Sequence, residues 1–165
     1  MAGSALFLLG GDASGTAVAV SFLAAEIILT RYGHLRSGYS AGCGLFAFGD
    51  ALAVTSELSR GNQAFQYALI AMAIAWLIGA ARAPLAWLGQ RYDRERLVGL
   101  ADALQPLAGI AMLALRIPAI LAAIAGGSFL GAAAVGCWAV ADILLGRIHQ
   151  SHKILSASFS SLRSR

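Results

Sequence analysis

Five stretches of this chain, roughly 13–30, 40–58, 65–88, 97–115 and 117–146, approach the ~20 mostly apolar residues that a helix needs to cross the hydrocarbon of a bilayer. Only short polar segments separate them. With 59% apolar and 12% charged residues and a mean hydropathy of +0.74, the chain lies outside the composition of water-soluble domains. The expected fold is an all-α integral membrane protein, a bundle of about five transmembrane helices forming one domain over 1–148. A basic cytoplasmic tail follows at 149–165.

Charge sets the expected orientation, because cytoplasmic loops collect Lys and Arg. With five spans, Arg31 and Arg36 fall in the first loop and Arg82, Arg91, Arg94 and Arg96 around the third. Arg147, Lys153, Arg163 and Arg165 fall in the tail, so all ten share one side. Only Arg60 and Arg116 fall on the other. The N-terminus is therefore expected outside and the C-terminus in the cytoplasm. An additional break at Gly126, Gly127 and Ser128 would raise the count to six and put the basic tail outside, against that rule.

The net charge of +4 and pI near 9.6 do not point to nucleic acid, since the cations mark loops and a tail and form no basic amphipathic face. The N-terminal "MAGSALFLLGGDASG" has no basic n-region and only a short apolar run, so no cleaved signal is expected. Eleven Arg against one Lys, with abundant Ala and Gly, suggest a bacterial source and so an inner, cytoplasmic membrane. The tail "RIHQSHKILSASFSSLRSR" could lie on anionic headgroups or fray.

Small residues run through every span, with two Gly-xxx-Gly spacings, Gly11 to Gly15 and Gly127 to Gly131. Such spacing lets helix backbones approach closely, within the bundle or against a second copy. The bilayer, a homo-oligomer and other membrane subunits are the expected partners.

The polar residues inside the spans carry the functional expectation. Glu26, Asp50, Asp102 and Asp142 fall within predicted helices, and Asp12 and Glu57 near their ends. A charge at the bilayer centre costs about 2.5–3.5 kcal/mol on insertion scales, so such residues face an interior, a cavity or a partner. Cys43, Asp50 and Glu57 recur every seven residues and share one helix stripe. Asp102 is followed by Gln105 and then Pro106, whose missing N–H frees a carbonyl about one turn back, so a carboxylate, an amide and a carbonyl could meet one ligand there. No Lys lies in a span, and Arg31, Arg82, Arg116 and Arg147 sit at predicted ends. The carboxylates must then be protonated, be hydrated, bind a cation, or pair with another chain.

"GCGLFAFGDAL" at 42–52 is similar to "GCWAVADIL" at 136–144 with two residues dropped, and "GDASG" at 11–15 loosely echoes "ADALQ" at 101–105. Asp12 to Asp50 spans 38 residues and Asp102 to Asp142 spans 40. Two readings stay open: a chance match in an Ala-, Gly- and Leu-rich chain, and an inverted repeat of helices 1–2 and 4–5 of the kind found in transporters.

Catalytic and cofactor signatures are missing from the sequence. It has no Walker loop, HExxH, GxSxG or dinucleotide fingerprint. His34 stands alone in a loop, His149 and His152 lie in the tail, and a haem bundle would want His within its spans. Cys43 and Cys137 lack metal or redox spacing. No cofactor or metal is expected. The expected function is a small transporter or channel for a cation or protonated small solute, with Asp50 and Asp102 on the pathway and Glu26, Asp142, Glu57 and Gln105 supporting it. A non-catalytic subunit of a larger membrane complex is the second reading. A lipid-modifying enzyme using Asp93, Glu95 and Arg96 at the rim is the third.

Overall fold

The computed structural model describes residues 13–58 and 61–144, with side chains described for 15–55 and 61–140. Among these residues the fold is all helical: α1 (Ala13–Tyr32), α2 (Arg36–Leu58), α3 (Gln63–Ala80), α4 (Arg82–Arg91), α5 (Glu95–Ala125) and α6 (Phe129–Leu144). Three rods are long and apolar enough to cross a membrane: Gly15–Tyr32, Gln63–Arg91, which joins α3 to α4, and Glu95–Ala125. α2 is equally long but carries polar residues, and α6 has 16 residues within the described range.

The break expected near Arg116 is not there. α5 runs unbroken for 31 residues through Arg116 and contains both Pro106 and Pro118. The turn lies instead at Gly126–Ser128, where it replaces the expected break and adds none. Gly127 supplies the reason, because its φ of 75° is a left-handed conformation open to glycine. The Ser128 N–H bonds the Ala123 carbonyl at 2.8 Å and the Gly127 N–H bonds the Ile124 carbonyl at 3.0 Å, which closes a Schellman cap. α4 ends the same way, with Asp93 at φ 50° and the Arg94 N–H on the Gly89 carbonyl at 2.8 Å.

Size, more than polarity, decides what faces inward. The core is built largely from Ala19, Ala25, Ala47, Ala53, Ala75, Ala119, Ala123, Ala132 and Ala134. Ile70, Ile74, Leu77, Ile110, Ile117, Leu121, Ile124 and Leu130 point outward. A water-soluble bundle would reverse this. In lipid there is no gain from hiding Leu or Ile, and small residues go inside because close backbone approach maximises packing.

The seam between α1 and α2 shows the principle. A Cβ on Gly49 would stand 2.5 Å from the Phe22 ring, and one on Gly42 would stand 2.5 Å from Leu29. Phe22 and Leu29 are seven residues apart, as are the two glycines, so knobs meet gaps along the antiparallel pair. Gly49→Val is expected to lose about 1–3 kcal/mol through overpacking. Thermal unfolding in detergent reads that loss.

Consecutive rods pack as neighbours from α1 to α6, with α3 and α4 both against α5. Residues 61–62 and the turn at 126–128 share one end of the bundle. There buried Asn62 caps α3 by accepting the Phe65 N–H at 3.2 Å and donates from Nδ2 to the Ala122 carbonyl at 3.3 Å. Asn62→Ala removes both bonds and is expected to cost about 1–2 kcal/mol. The turns at 33–35 and 92–94 lie at the opposite end.

Candidate functional site

Two polar layers cross this bundle. The inner one is built on Asp50, which lies eight residues before the end of α2. Arg116 lies nine residues before the end of α5, and Trp138 nine residues after the start of α6. At 1.5 Å per residue all three sit about 12–14 Å from the end that holds residues 61–62 and the 126–128 turn. That is close to the middle of a ~30 Å hydrocarbon core.

The carboxyl group of Asp50 is sealed, with 1% of the residue exposed, and its Oδ2 has no hydrogen-bond partner among the described residues. Arg116, 5% exposed, lies within electrostatic reach of it. The Arg116 Nη1 donates to the Trp138 main-chain carbonyl at 3.2 Å, and the Trp138 indole Nε1 donates to Glu26 Oε1 at 2.7 Å. Four helices thus contribute to one interior network.

Aromatic rings fill the space that the small residues leave around it. Phe46 stacks on Trp76 at 4.6 Å between centroids, and Phe22 meets Trp138 edge to face at 4.4 Å. These rings surround the network with low-polarity material, where charge–charge interactions are strengthened. Cys43 shares the inward stripe with Asp50 and is fully buried, in contact range of Gly79.

The outer layer is built on Asp102. Arg36 grips it with two bonds, Nε to Oδ1 at 3.1 Å and Nη2 to Oδ2 at 2.8 Å, and Arg82 adds Nη2 to Oδ1 at 3.2 Å. The Arg82 guanidinium also lies over the Tyr39 ring at 5.5 Å. The Tyr39 hydroxyl donates to the main-chain carbonyl of Gln105 at 3.2 Å, and Ser40 Oγ accepts the Ala83 N–H at 2.8 Å where α3 passes into α4. The place where Asp102, Gln105 and a carbonyl near Pro106 were expected to face a ligand is thus occupied by side chains of α2 and α4.

The expected site residues therefore divide. Asp50 and Glu26 enter the inner layer, and Asp102 and Gln105 the outer one. Asp142 and Glu57 lie on described helices, but their side chains are outside the described residues, as are Asp12 and Gly11 entirely. Gly15 lies in the first turn of α1, Gly127 lies in a turn, and a Cβ on Gly131 would stand 2.8 Å from the Phe65 ring.

Sequence reasoning placed Arg116 in an outer loop and missed it as the buried cation beside Asp50. It also missed that Arg36 and Arg82 neutralise Asp102 within the chain. The signal available for both was spacing: Arg36 precedes Asp50, and Asp102 precedes Arg116, by 14 residues each. α2 and α5 start at the same end of the bundle and run the same way, so the equal offset places their charges in two matching layers about 21 Å apart.

At the rim, Asp93, Arg94, Glu95, Arg96 and Leu97 line an open depression of about 740 Å³. None of these five is a thiol, hydroxyl or imidazole nucleophile, and no cluster of three metal-ligating side chains occurs among the described residues. No protein family, curated protein or solved structure matches this chain.

Proposed function

We propose that the chain is a small membrane transporter or channel for a cation or a protonated small solute, with Asp50 as the group that takes up the proton or cation. The observation that carries this reading is the bare Oδ2 of Asp50, sealed at mid-depth in a bundle of apolar helices. Burying an ionisable group there costs several kcal/mol, and proteins that bear the cost use the group on substrate or ion pathways. Arg116 is the built-in counter-charge. When a proton or cation reaches Asp50, Arg116 loses its balance and is driven to a new arrangement, which couples loading to motion of α5 against α2. Trp138 links that motion to Glu26 on α1.

The same reading places five spans in a bacterial inner membrane, with the α3–α4 rod counted as one, the N-terminus outside and the C-terminus inside. With the fourth turn at Gly126–Ser128, Arg116 leaves the outer loops, so the charge asymmetry between the two ends is larger than the sequence implied. Against the subunit reading, Asp102 has both of its cations at home and Asp50 faces inward, so neither offers a docking charge to a neighbour.

Purification in mild detergent, weighing of the intact particle and reconstitution into liposomes test this. The expected result is a particle made only of this chain, as a monomer or homo-oligomer, whose vesicles pass protons or monovalent cations faster than empty ones. A particle held together by other chains, and silent alone, contradicts it and returns the subunit reading.

A further inference from the structure

The outer layer has a property that the proposed transport does not use. Arg36 and Arg82 bring two positive charges to the single carboxylate of Asp102, and among the described residues neither pairs with any other acidic group. The surplus is presented outward mainly through Arg36, because the side chains of Arg36 and Asp102 are 36% and 38% exposed and that of Arg82, behind them, is 12% exposed.

Its depth identifies what it faces. From Arg36 to the end of α2, from Arg82 back to the start of α3, and from Asp102 to the end of α5 the chain covers about 29–35 Å of helix. Measured from the opposite face, all three residues surface where a ~30 Å hydrocarbon core ends and headgroups begin. Tyr32 and Trp87 are exposed at the same end, the amphipathic rings that mark a membrane–water boundary, and Leu35 and Leu100 offer apolar surface beside the cluster. This is also the cation-rich end, which faces the leaflet that anionic lipids charge negatively.

We propose that Arg36 and Arg82, held together by Asp102, form a binding site for the phosphate of an anionic phospholipid headgroup. Asp102 gathers the two guanidiniums, which would otherwise repel, and leaves one net positive charge with outward N–H donors. Guanidinium groups suit phosphate because their donors match its oxygens in pairs. The adjacent apolar and aromatic residues give the acyl chains a surface that a free phosphate ion cannot use. The inference rests on the membrane orientation and is independent of whether Asp50 carries a flux.

Native mass spectrometry of the intact chain, released from detergent after addition of phosphatidylglycerol, phosphatidylcholine or inorganic phosphate, tests it. Wild-type protein is expected to retain phosphatidylglycerol about fivefold over phosphatidylcholine and to lose most of that preference as Arg36→Gln. The wild-type comparison stands even where a variant fails to fold. Equal retention of the two lipids by wild type would overturn the proposal. So would displacement of phosphatidylglycerol by millimolar inorganic phosphate, which would make this a soluble-anion site, or an Arg36→Gln protein that folds and keeps the preference.

Discussion

Arg116→Met is expected to destabilise the bundle by about 3–5 kcal/mol, because it leaves Asp50 buried at 1% exposure without its cation and removes the donor to the Trp138 carbonyl. The double variant Arg116→Met with Asp50→Asn is expected to recover a large part of the loss, since replacing both partners of a buried pair is far less costly than stranding one. Unfolding of the four proteins in detergent, arranged as a double-mutant cycle, gives the coupling between the two sites. Additive losses would mean that Arg116 and Asp50 do not act on one another. The interior network would then fall apart into unrelated polar residues.

Trp138→Ala is expected to be nearly as damaging, at about 3 kcal/mol. That lies at the low end for loss of a buried indole because in lipid the loss is one of packing and hydrogen bonding, with little transfer of apolar surface from water. The indole fills the space against Phe22 and Phe46 and donates to Glu26 at 2.7 Å. Trp138→Phe separates these roles: it keeps most of the ring contact and forfeits the bond, with an expected loss of about 1.5–3 kcal/mol. Thermal melting of both variants measures the difference. Equal melting points for the Phe variant and wild type would show that the Glu26 bond does not hold α6 against α1.

The class of the fold was legible because length and hydropathy act over whole segments, where single residues cannot mislead. The end of α5 was not. Arg116 read as a boundary because an arginine usually marks a loop. In the structure Arg116 is buried and its Nη1 donates to the Trp138 carbonyl inside the bundle, and membrane helices tolerate proline where neighbours supply the lost bonds. The decisive signal lies in the Gly126–Gly127 pair, where the left-handed Gly127 ends the rod in place of the expected boundary.

The inner site was half legible for a related reason. Asp50 stood out because a carboxylate in an apolar run is conspicuous in one dimension. Its surroundings did not, because helices that are apolar all round show no periodic face by which to tell inside from outside. The inward side of α1 to α6 is marked by residue size, in Ala47, Gly49 and Ala53 around Asp50, and that pattern is faint in a chain where Ala and Gly are common everywhere. Asp102 was found as a site residue, but its partners come from 66 and 20 residues away, and no local pattern pairs Arg36 or Arg82 with it.

The most direct measurement is the rate at which liposomes holding this chain pass protons and monovalent cations, compared between wild type and Asp50→Asn at equal reconstitution and equal melting temperature. Asp50→Asn keeps the shape of the side chain and removes its capacity to carry a charge or a proton. The account predicts a flux in wild type above empty vesicles and its loss in the variant. A variant that folds and conducts as wild type does would contradict it, because the sealed carboxylate would then be structural.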